Sequence, residues 1–316
     1  MLIMNLIEFN EKIYSQTSFW LSKLFEDFGV KIIIGLELEV YLKGKSNFDK
    51  IDISSINMRF EEATNLECKF ESERGHNQFE LVVRHCDLAK NIDNIIKIKS
   101  LVKNVLNIDH RDLIAIFNAK PNESLPGSSI QLNISFTNST IQDQGFNLKH
   151  AKIIAAGLLY FMPFDFPILC PSLSSYKRIN NGDKMFTPQC FSWSINDRRA
   201  GVRIVNNKSS GVTYVEHRVA SSETNILSLI YTAVRSIYWS LRCNFSLPEI
   251  YSDENCQINL FPSRIKLALE LSESHGEKIN IQQFDSIDLI KEDQKNHKNS
   301  LGEQGGKWKN IVRNRF

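Results

Sequence analysis

The run Val30-Lys31-Ile32-Ile33-Ile34-Gly35-Leu36-Glu37-Leu38-Glu39-Val40-Tyr41-Leu42 decides how this chain is read. Its first half is β-branched, and its second half alternates strictly between apolar and acidic residues. A strand repeats every two residues, so Glu37 and Glu39 point to one face while Ile34, Leu36, Leu38 and Val40 point to the other. Two carboxylates placed this way sit about 7 Å apart and repel each other if desolvated. Exposed to water, they need no explanation.

Upstream, residues 11–28 predict a helix with Ile13, Trp20, Leu21, Leu24 and Phe28 on one face, stopped by Gly29. Downstream, residues 78–84 read as a strand and 88–107 as one helix. Residues 113–118 and 130–136 look like a strand pair joined by a Pro/Gly/Ser loop. Residues 149–162 predict an apolar helix and 171–182 a polar loop. Short strands follow around 189–195, 201–205 and 212–219, then a long helix over 225–243 and an amphipathic helix opened by Pro262. Strands mostly pair through loops while helices come in longer excursions, an α+β pattern: an antiparallel sheet with helices on one side.

The composition permits this. Three hundred and sixteen residues, 42% hydrophobic and 23% charged, are enough for a real core and exclude disordered, collagenous and coiled-coil classes for the bulk of the chain. The net charge of +2 gives no global field for nucleic acid. Residues 291–316 carry seven basic against three acidic side chains, a polar basic tail of net +4. Cys68, Cys86, Cys170, Cys190, Cys243 and Cys256 show no paired spacing, so free thiols of a reducing compartment are expected. The first residues lack a basic leader region. The longest apolar stretch, Ile153 to Cys170, is interrupted by Pro163, Asp165 and Pro167, which argues against one membrane-spanning helix. The expectation is a cytoplasmic protein with small-molecule substrates and neither nucleic-acid nor membrane partners.

Further lone carboxylates interrupt β-rich stretches. Glu73 and Glu80 bracket Glu73-Arg74-Gly75-His76-Asn77-Gln78-Phe79-Glu80, and Glu216 sits in Tyr214-Val215-Glu216-His217-Arg218-Val219. Acidic residues on several separate segments suggest one shared cavity made tolerable by divalent cations. All-oxygen ligation suits Mg²⁺ or Mn²⁺, which also bind nucleotide phosphates. Lys177, Arg178, Arg198, Arg203 and Arg218 supply an opposing basic wall suited to phosphate or substrate carboxylate. Each alone reads as a surface ion pair.

The same segments, in this order, resemble the catalytic domain of the glutamine synthetase family and related γ-glutamyl ligases. Gly35-Leu36-Glu37-Leu38-Glu39 resembles the family's G-x-E-x-E strand, and Glu73 to Glu80 its E-x-x-P-G-Q-x-E segment. Phe117-Asn118-Ala119-Lys120-Pro121 is similar to F-x-x-K-P, and Gly127-Ser128-Ser129-Ile130-Gln131-Leu132-Asn133 to G-S-G-x-H-x-H. Ser174-Ser175-Tyr176-Lys177-Arg178 is similar to N-S-Y-K-R, Ser194 to Arg203 to S-x-x-N-R…R, and Val215 to Arg218 to R-x-E-x-R, with Asn225 downstream.

The resemblance implies a curved, largely antiparallel sheet with helices on its outer side, over residues 30–275. Residues 1–29 would be a helical lead-in without the family's small β-grasp domain, and 276–316 a tail. It implies two Mg²⁺ or Mn²⁺ sites, one held by Glu39, Glu73 and Glu80, the other by Glu37, Gln131 and Glu216. Arg178 and Arg218 would grip glutamate, and Arg198, Arg203 and Lys177 the ATP phosphates, with Arg178, Arg198 and Arg218 catalytic. The implied activity is ATP-dependent ligation of glutamate to ammonia or a larger amine, through a γ-glutamyl phosphate, in a possible homo-oligomer.

Several positions depart from the pattern. Gln131 stands where the family has a metal-binding His, Tyr214 where it has an Arg, and Pro126 where it has an Asn. These departures motivate a second reading, a catalytically impaired relative that binds nucleotide or glutamate in a regulatory role.

Overall fold

The computed structural model describes residues 6–44, 53–109, 113–138, 145–207 and 209–278. The decisive run is β1 (Lys31–Gly44), the central strand that every early strand but one pairs with. It is preceded by α1 (Leu6–Phe28) and followed by α2 (Ile53–Ala63), β2 (Cys68–Ser72), β3 (Gln78–Asp87), α3 (Leu88–Ile96), α4 (Ile98–Asp109), β4 (Leu113–Ile116) and β5 (Ile130–Thr137). The second half holds α5 (Leu148–Leu169), α6 (Leu173–Asn181), β6 (Trp193–Ile195), β7 (Val202–Asn207), β8 (Val212–His217), α7 (Ile226–Cys243), α8 (Asp253–Ile258) and α9 (Ile265–Lys278).

These strands form one sheet in the order β2-β3-β1-β5-β8-β7-β6, with β4 also on β1. Every pairing is antiparallel except β6 with β7. The α+β expectation holds. Ile34, Leu36, Leu38 and Val40 are buried, as the alternation requires, beneath helices that cover that face. Each such side chain contributes about 1.5–3 kcal/mol by leaving water. In β3 one extra residue lies between Val83 and Cys86, a bulge that bends the strand where it passes Gly35.

The structure corrects several expectations. The segment 88–107 is two helices, because the chain turns at Lys97, whose N–H bonds to Asn94 O and Ile95 O. β4 and β5 do not pair with each other: both lie along one edge of β1, β4 opposite Tyr41–Gly44 and β5 opposite Lys31–Leu38. The loop expected at 171–182 is α6, started by a capping box between Ser172 and Ser175. Pro163 and Pro167 do not break α5, which runs unbroken for 22 residues. Although α5 is long and apolar enough to cross a membrane, 78% of its apolar window is buried within the molecule, against α7 and α9.

Nor are all six cysteines free: Cys190 and Cys256 form a disulfide between the approach to β6 and α8. Cys68 and Cys170 are buried thiols, Cys86 is half-buried and Cys243 exposed. The basic tail expected beyond residue 276 falls, from 279 onward, outside the described residues.

Candidate active site

The face of the sheet opposite the helices carries a cleft of about 780 Å³. Strand register builds it. Glu39 on β1 lies directly opposite Glu80 on β3, and Glu37 directly opposite Gln131 on β5. One row further, Asn133, Glu216 and Arg203 stand side by side on β5, β8 and β7.

Glu73 reaches this floor from the β2–β3 turn. Its N–H bonds to Gln78 O, and Asn77 turns the chain with a φ of 58°. The Gln78 side chain then ties the turn to the loop before β5. Its Oε1 accepts from Gly75 N (3.0 Å), and its Nε2 donates to Gly127 O (2.9 Å) and Ser128 Oγ (3.2 Å). Tyr41 Oη donates to Pro126 O at 3.0 Å in the same corner.

The result is a trio. One carboxylate oxygen each from Glu39, Glu73 and Glu80 lies within 4.8 Å of the others. Burial is the main reason the Glu39 carboxyl is pushed up to about 7 and Glu80 to about 9, and the surrounding carboxylates add to the effect at Glu80. Glu39 is held by the Ser129 N–H (2.7 Å) and Oγ (3.0 Å). Nothing donates to Glu80 among the influences on it, which are burial and the charges of Glu37, Glu39, Glu73 and Glu71. Like charges directly opposite on neighbouring strands destabilise a sheet, so this arrangement is relieved either by retained protons or by a cation.

The second expected set is differently engaged. Glu37 accepts from Asn133 Nδ2 at 2.7 Å. Gln131 Oε1 and Glu216 Oε1 both accept from Arg218 Nη1, at 2.9 and 2.6 Å, and Glu216 Oε2 lies 2.9 Å from Arg203 Nη1. Burial and the nearby Glu216 charge raise the Glu37 carboxyl.

The basic wall is partly as expected. Arg178, Arg198, Arg203 and Arg218 line the cleft. Lys177 does not: it projects from α6 toward Glu123, 3.8 Å away, with more than half its side chain exposed. Arg178 crosses beneath the loop before β5 because Gly127 has no side chain, since a Cβ there would meet Arg178 Cγ at 2.6 Å. One terminal nitrogen of Arg178 donates to Val219 O (3.0 Å) and the other to Arg218 O (3.2 Å). Burial lowers its guanidinium from the usual value.

Other residues that shape the site were not singled out in the sequence. Asn133 orients Glu37, and Ser129, in the lining, holds Glu39. The segment after α6 closes one end of the cleft: Arg218 Nη2 donates to Phe186 O (3.1 Å), Arg74 stacks 3.5 Å over the Phe186 ring, and Asp183 sits 3.6 Å from Arg74. The odd-numbered parity of Gln131 and Asn133 was the available signal for the first of these. The closing segment, which forms no strand or helix of its own, offered none. The cleft therefore presents an acidic floor for a cation beside guanidinium groups suited to phosphate and carboxylate.

A family model described as glutamine synthetase, catalytic domain, matches residues 56–234. Gamma-glutamylputrescine synthetase PuuA of Escherichia coli is 28% identical over 172 residues, 52% of this chain and 35% of that protein. The glutamine synthetase of Pyrococcus horikoshii is 27% identical over 233 residues, 63% of this chain and 49% of its own length. The matches thus span about half of those relatives or less. A cryo-EM structure of Plasmodium falciparum glutamine synthetase superposes with a TM-score of 0.71 at 15% identity, over 93% of this chain and 76% of that one, which is a likeness of fold.

Proposed function

We propose, from the premise that this chain belongs to the glutamine synthetase family by its catalytic domain, that it is an ATP-dependent ligase joining glutamate to an amine. The observation that carries this reading is the convergence of Glu39, Glu73 and Glu80 within 4.8 Å on the floor of a cleft walled by Arg178, Arg198 and Arg203.

The trio fits a resident Mg²⁺ or Mn²⁺, being three oxygen donors with two carboxyls driven up by mutual charge and burial. When bound, that ion supplies positive charge beside the transferring phosphoryl group. The chain's own residues do the rest. Arg198 and Arg203 hold the phosphates, whose developing charge they neutralise. Arg178, anchored through two backbone carbonyls, still has N–H groups for the substrate carboxylate. The Phe186 segment closes the end of the cleft against water. In the proposed sequence the γ-phosphoryl group passes from ATP to the side-chain carboxylate of glutamate and ADP leaves. The amine then attacks the acyl carbon, phosphate departs, and the amine loses a proton.

A second reading, a relative that binds nucleotide or glutamate without turnover, is favoured by one observation: Arg218, expected to grip glutamate, has its donors on Gln131, Glu216, Phe186 O and Arg198 O. ADP release separates the two. The ligase requires ADP formation that depends on Mg²⁺, glutamate and an amine such as ammonium or putrescine. Nucleotide binding by calorimetry with no ADP release under any of these amines supports the second reading instead.

A further inference from the structure

We propose that the guanidinium groups of Arg203 and Arg218 take the place of a second divalent cation in this cleft, so that the chain without nucleotide binds one such ion rather than two. The inference rests on the reading that Glu39, Glu73 and Glu80 hold a cation, and adds to it what the neighbouring set does.

A second ion would need the oxygens of Glu37, Gln131 and Glu216 turned toward one centre, each about 2.0–2.2 Å away. The oxygens of Gln131 and Glu216 already have cationic partners, and Glu37 Oε1 accepts from the Asn133 amide. Arg218 Nη1 bridges Gln131 Oε1 (2.9 Å) and Glu216 Oε1 (2.6 Å), and Arg203 Nη1 lies 2.9 Å from Glu216 Oε2, an ion pair without a hydrogen bond. The Gln131 amide is fixed in this sense because its nitrogen faces Ser129 Oγ at 3.4 Å. Arg218 is itself held from behind, through Nε to Arg198 O (3.2 Å) and Nη2 to Phe186 O (3.1 Å). It has little room to withdraw.

Charge balance separates the two halves of the cleft. Glu37 and Glu216 carry two negative charges and Arg203 and Arg218 two positive ones, with Arg198 adding a further positive charge beside Arg203, so this half has no negative charge left for a divalent ion. Glu39, Glu73 and Glu80 together carry three when ionised. Arg178, whose charge acts on Glu39, offsets one. The remaining two match one divalent ion. Inserting a further ion among Glu37, Gln131 and Glu216 would strip two guanidiniums of their counter-charge, with side chains of Arg203 and Arg218 only 12% and 6% exposed. Uncompensated buried charge is strongly unfavourable. Gln131 suits this arrangement. A neutral imidazole placed to ligate a metal would not offer its lone pair and accept a guanidinium at once, whereas an amide oxygen serves the guanidinium well.

The test is Mn²⁺ binding to the full chain without nucleotide, read by electron paramagnetic resonance of free Mn²⁺ and by calorimetry. One Mn²⁺ per chain is expected, weakened about 10- to 100-fold or more by Glu80→Gln. Arg218→Gln is expected to raise the count to two by freeing Glu216 and Gln131. Should that variant fail to fold, Arg203→Gln puts the same question from the more exposed side. Two ions in the unaltered chain overturn the inference and leave the ligase reading standing. A single ion that survives Glu80→Gln, or a count that stays at one in the folded arginine variants, also overturns it. No ion at all removes the cation site itself, and the ligase reading with it.

Discussion

Glu39 and Glu80 face each other across β1 and β3, with Glu71 beyond Glu80 on β2, a row of acids whose mutual repulsion works against the sheet. Its consequence is a pH dependence of definite sign. Carboxyls with an ordinary value of 4.5 are driven up in the folded chain, Glu39 to about 7 and Glu80 to about 9, so the fold retains protons that the unfolded chain releases. Their stabilising contribution is complete below about pH 4.5 and is lost as pH rises through 7 and 9. The melting temperature of the metal-free protein should therefore fall between pH 5 and pH 9. Saturating Mn²⁺ should raise it more at pH 9 than at pH 5, because ligation displaces protons. A metal-free profile flat over that range would count against the trio. The cleft wall separates two neighbouring bases. Arg198→Ala should lower the rate of ADP release about 100-fold, while Lys177→Ala, at a residue that does not line the cleft and makes only an exposed ion pair with Glu123 at its rim, should leave it within about twofold.

At the scale of elements, the fold was legible where periodicity was strong and illegible where polarity hid it. β1 was read from its alternation and β3, β5 and β8 from their β-rich composition, and parity alone placed Glu37 and Glu39 on a shared face. The helix α6 was hidden by Ser174-Ser175-Tyr176-Lys177-Arg178, although Ser172 with Ser175, and Tyr176 with Ile179, carried a cap and an apolar stripe. Edge strand β2, with Cys68 and Phe70 inward and Lys69 and Glu71 outward, escaped because it is only five residues long. The convergence of Glu39, Glu73 and Glu80 was readable from motif order. The engagement of Glu216 by two arginines was not, since it depends on the β5–β8–β7 register. The helix layer behind the sheet gives a packing prediction. A Cβ on Gly157 of α5 would lie 2.3 Å from Ser236 O and 2.8 Å from Ser240 Cβ on α7. Gly157→Ala must push these helices apart, and a loss of about 1–3 kcal/mol is expected in urea unfolding. An unchanged midpoint would show that the two helices are not in such close contact.

The whole molecule is a sheet whose one face is closed by apolar helices and whose other face is left to charged chemistry. Among the described residues the helix layer holds a buried ion pair. Arg235 on α7 is fully buried, with Nη2 2.7 and 2.6 Å from the two oxygens of Asp165 on α5 and its guanidinium 4.6 Å from the Phe161 ring. Removing one partner leaves an uncompensated buried charge, so Arg235→Met should cost about 3–5 kcal/mol, and the double change with Asp165→Leu should recover most of it. Equal losses in the single and double variants would mean that the packing of Arg235, rather than its charge, is what matters. Pro163 and Pro167 lie inside α5 on either side of Asp165, which explains why a stretch read as interrupted is continuous: burial against α7 and α9 outweighs the missing N–H donors. In the proposed reading the cleft on the opposite face depends on a cation for its charge balance. An anomalous difference map from a crystal grown with Mn²⁺ and no nucleotide tests that dependence most directly. One peak is expected, about 2.0–2.2 Å from oxygens of Glu39, Glu73 and Glu80, and a map at saturating Mn²⁺ with no density among those three carboxylates contradicts it.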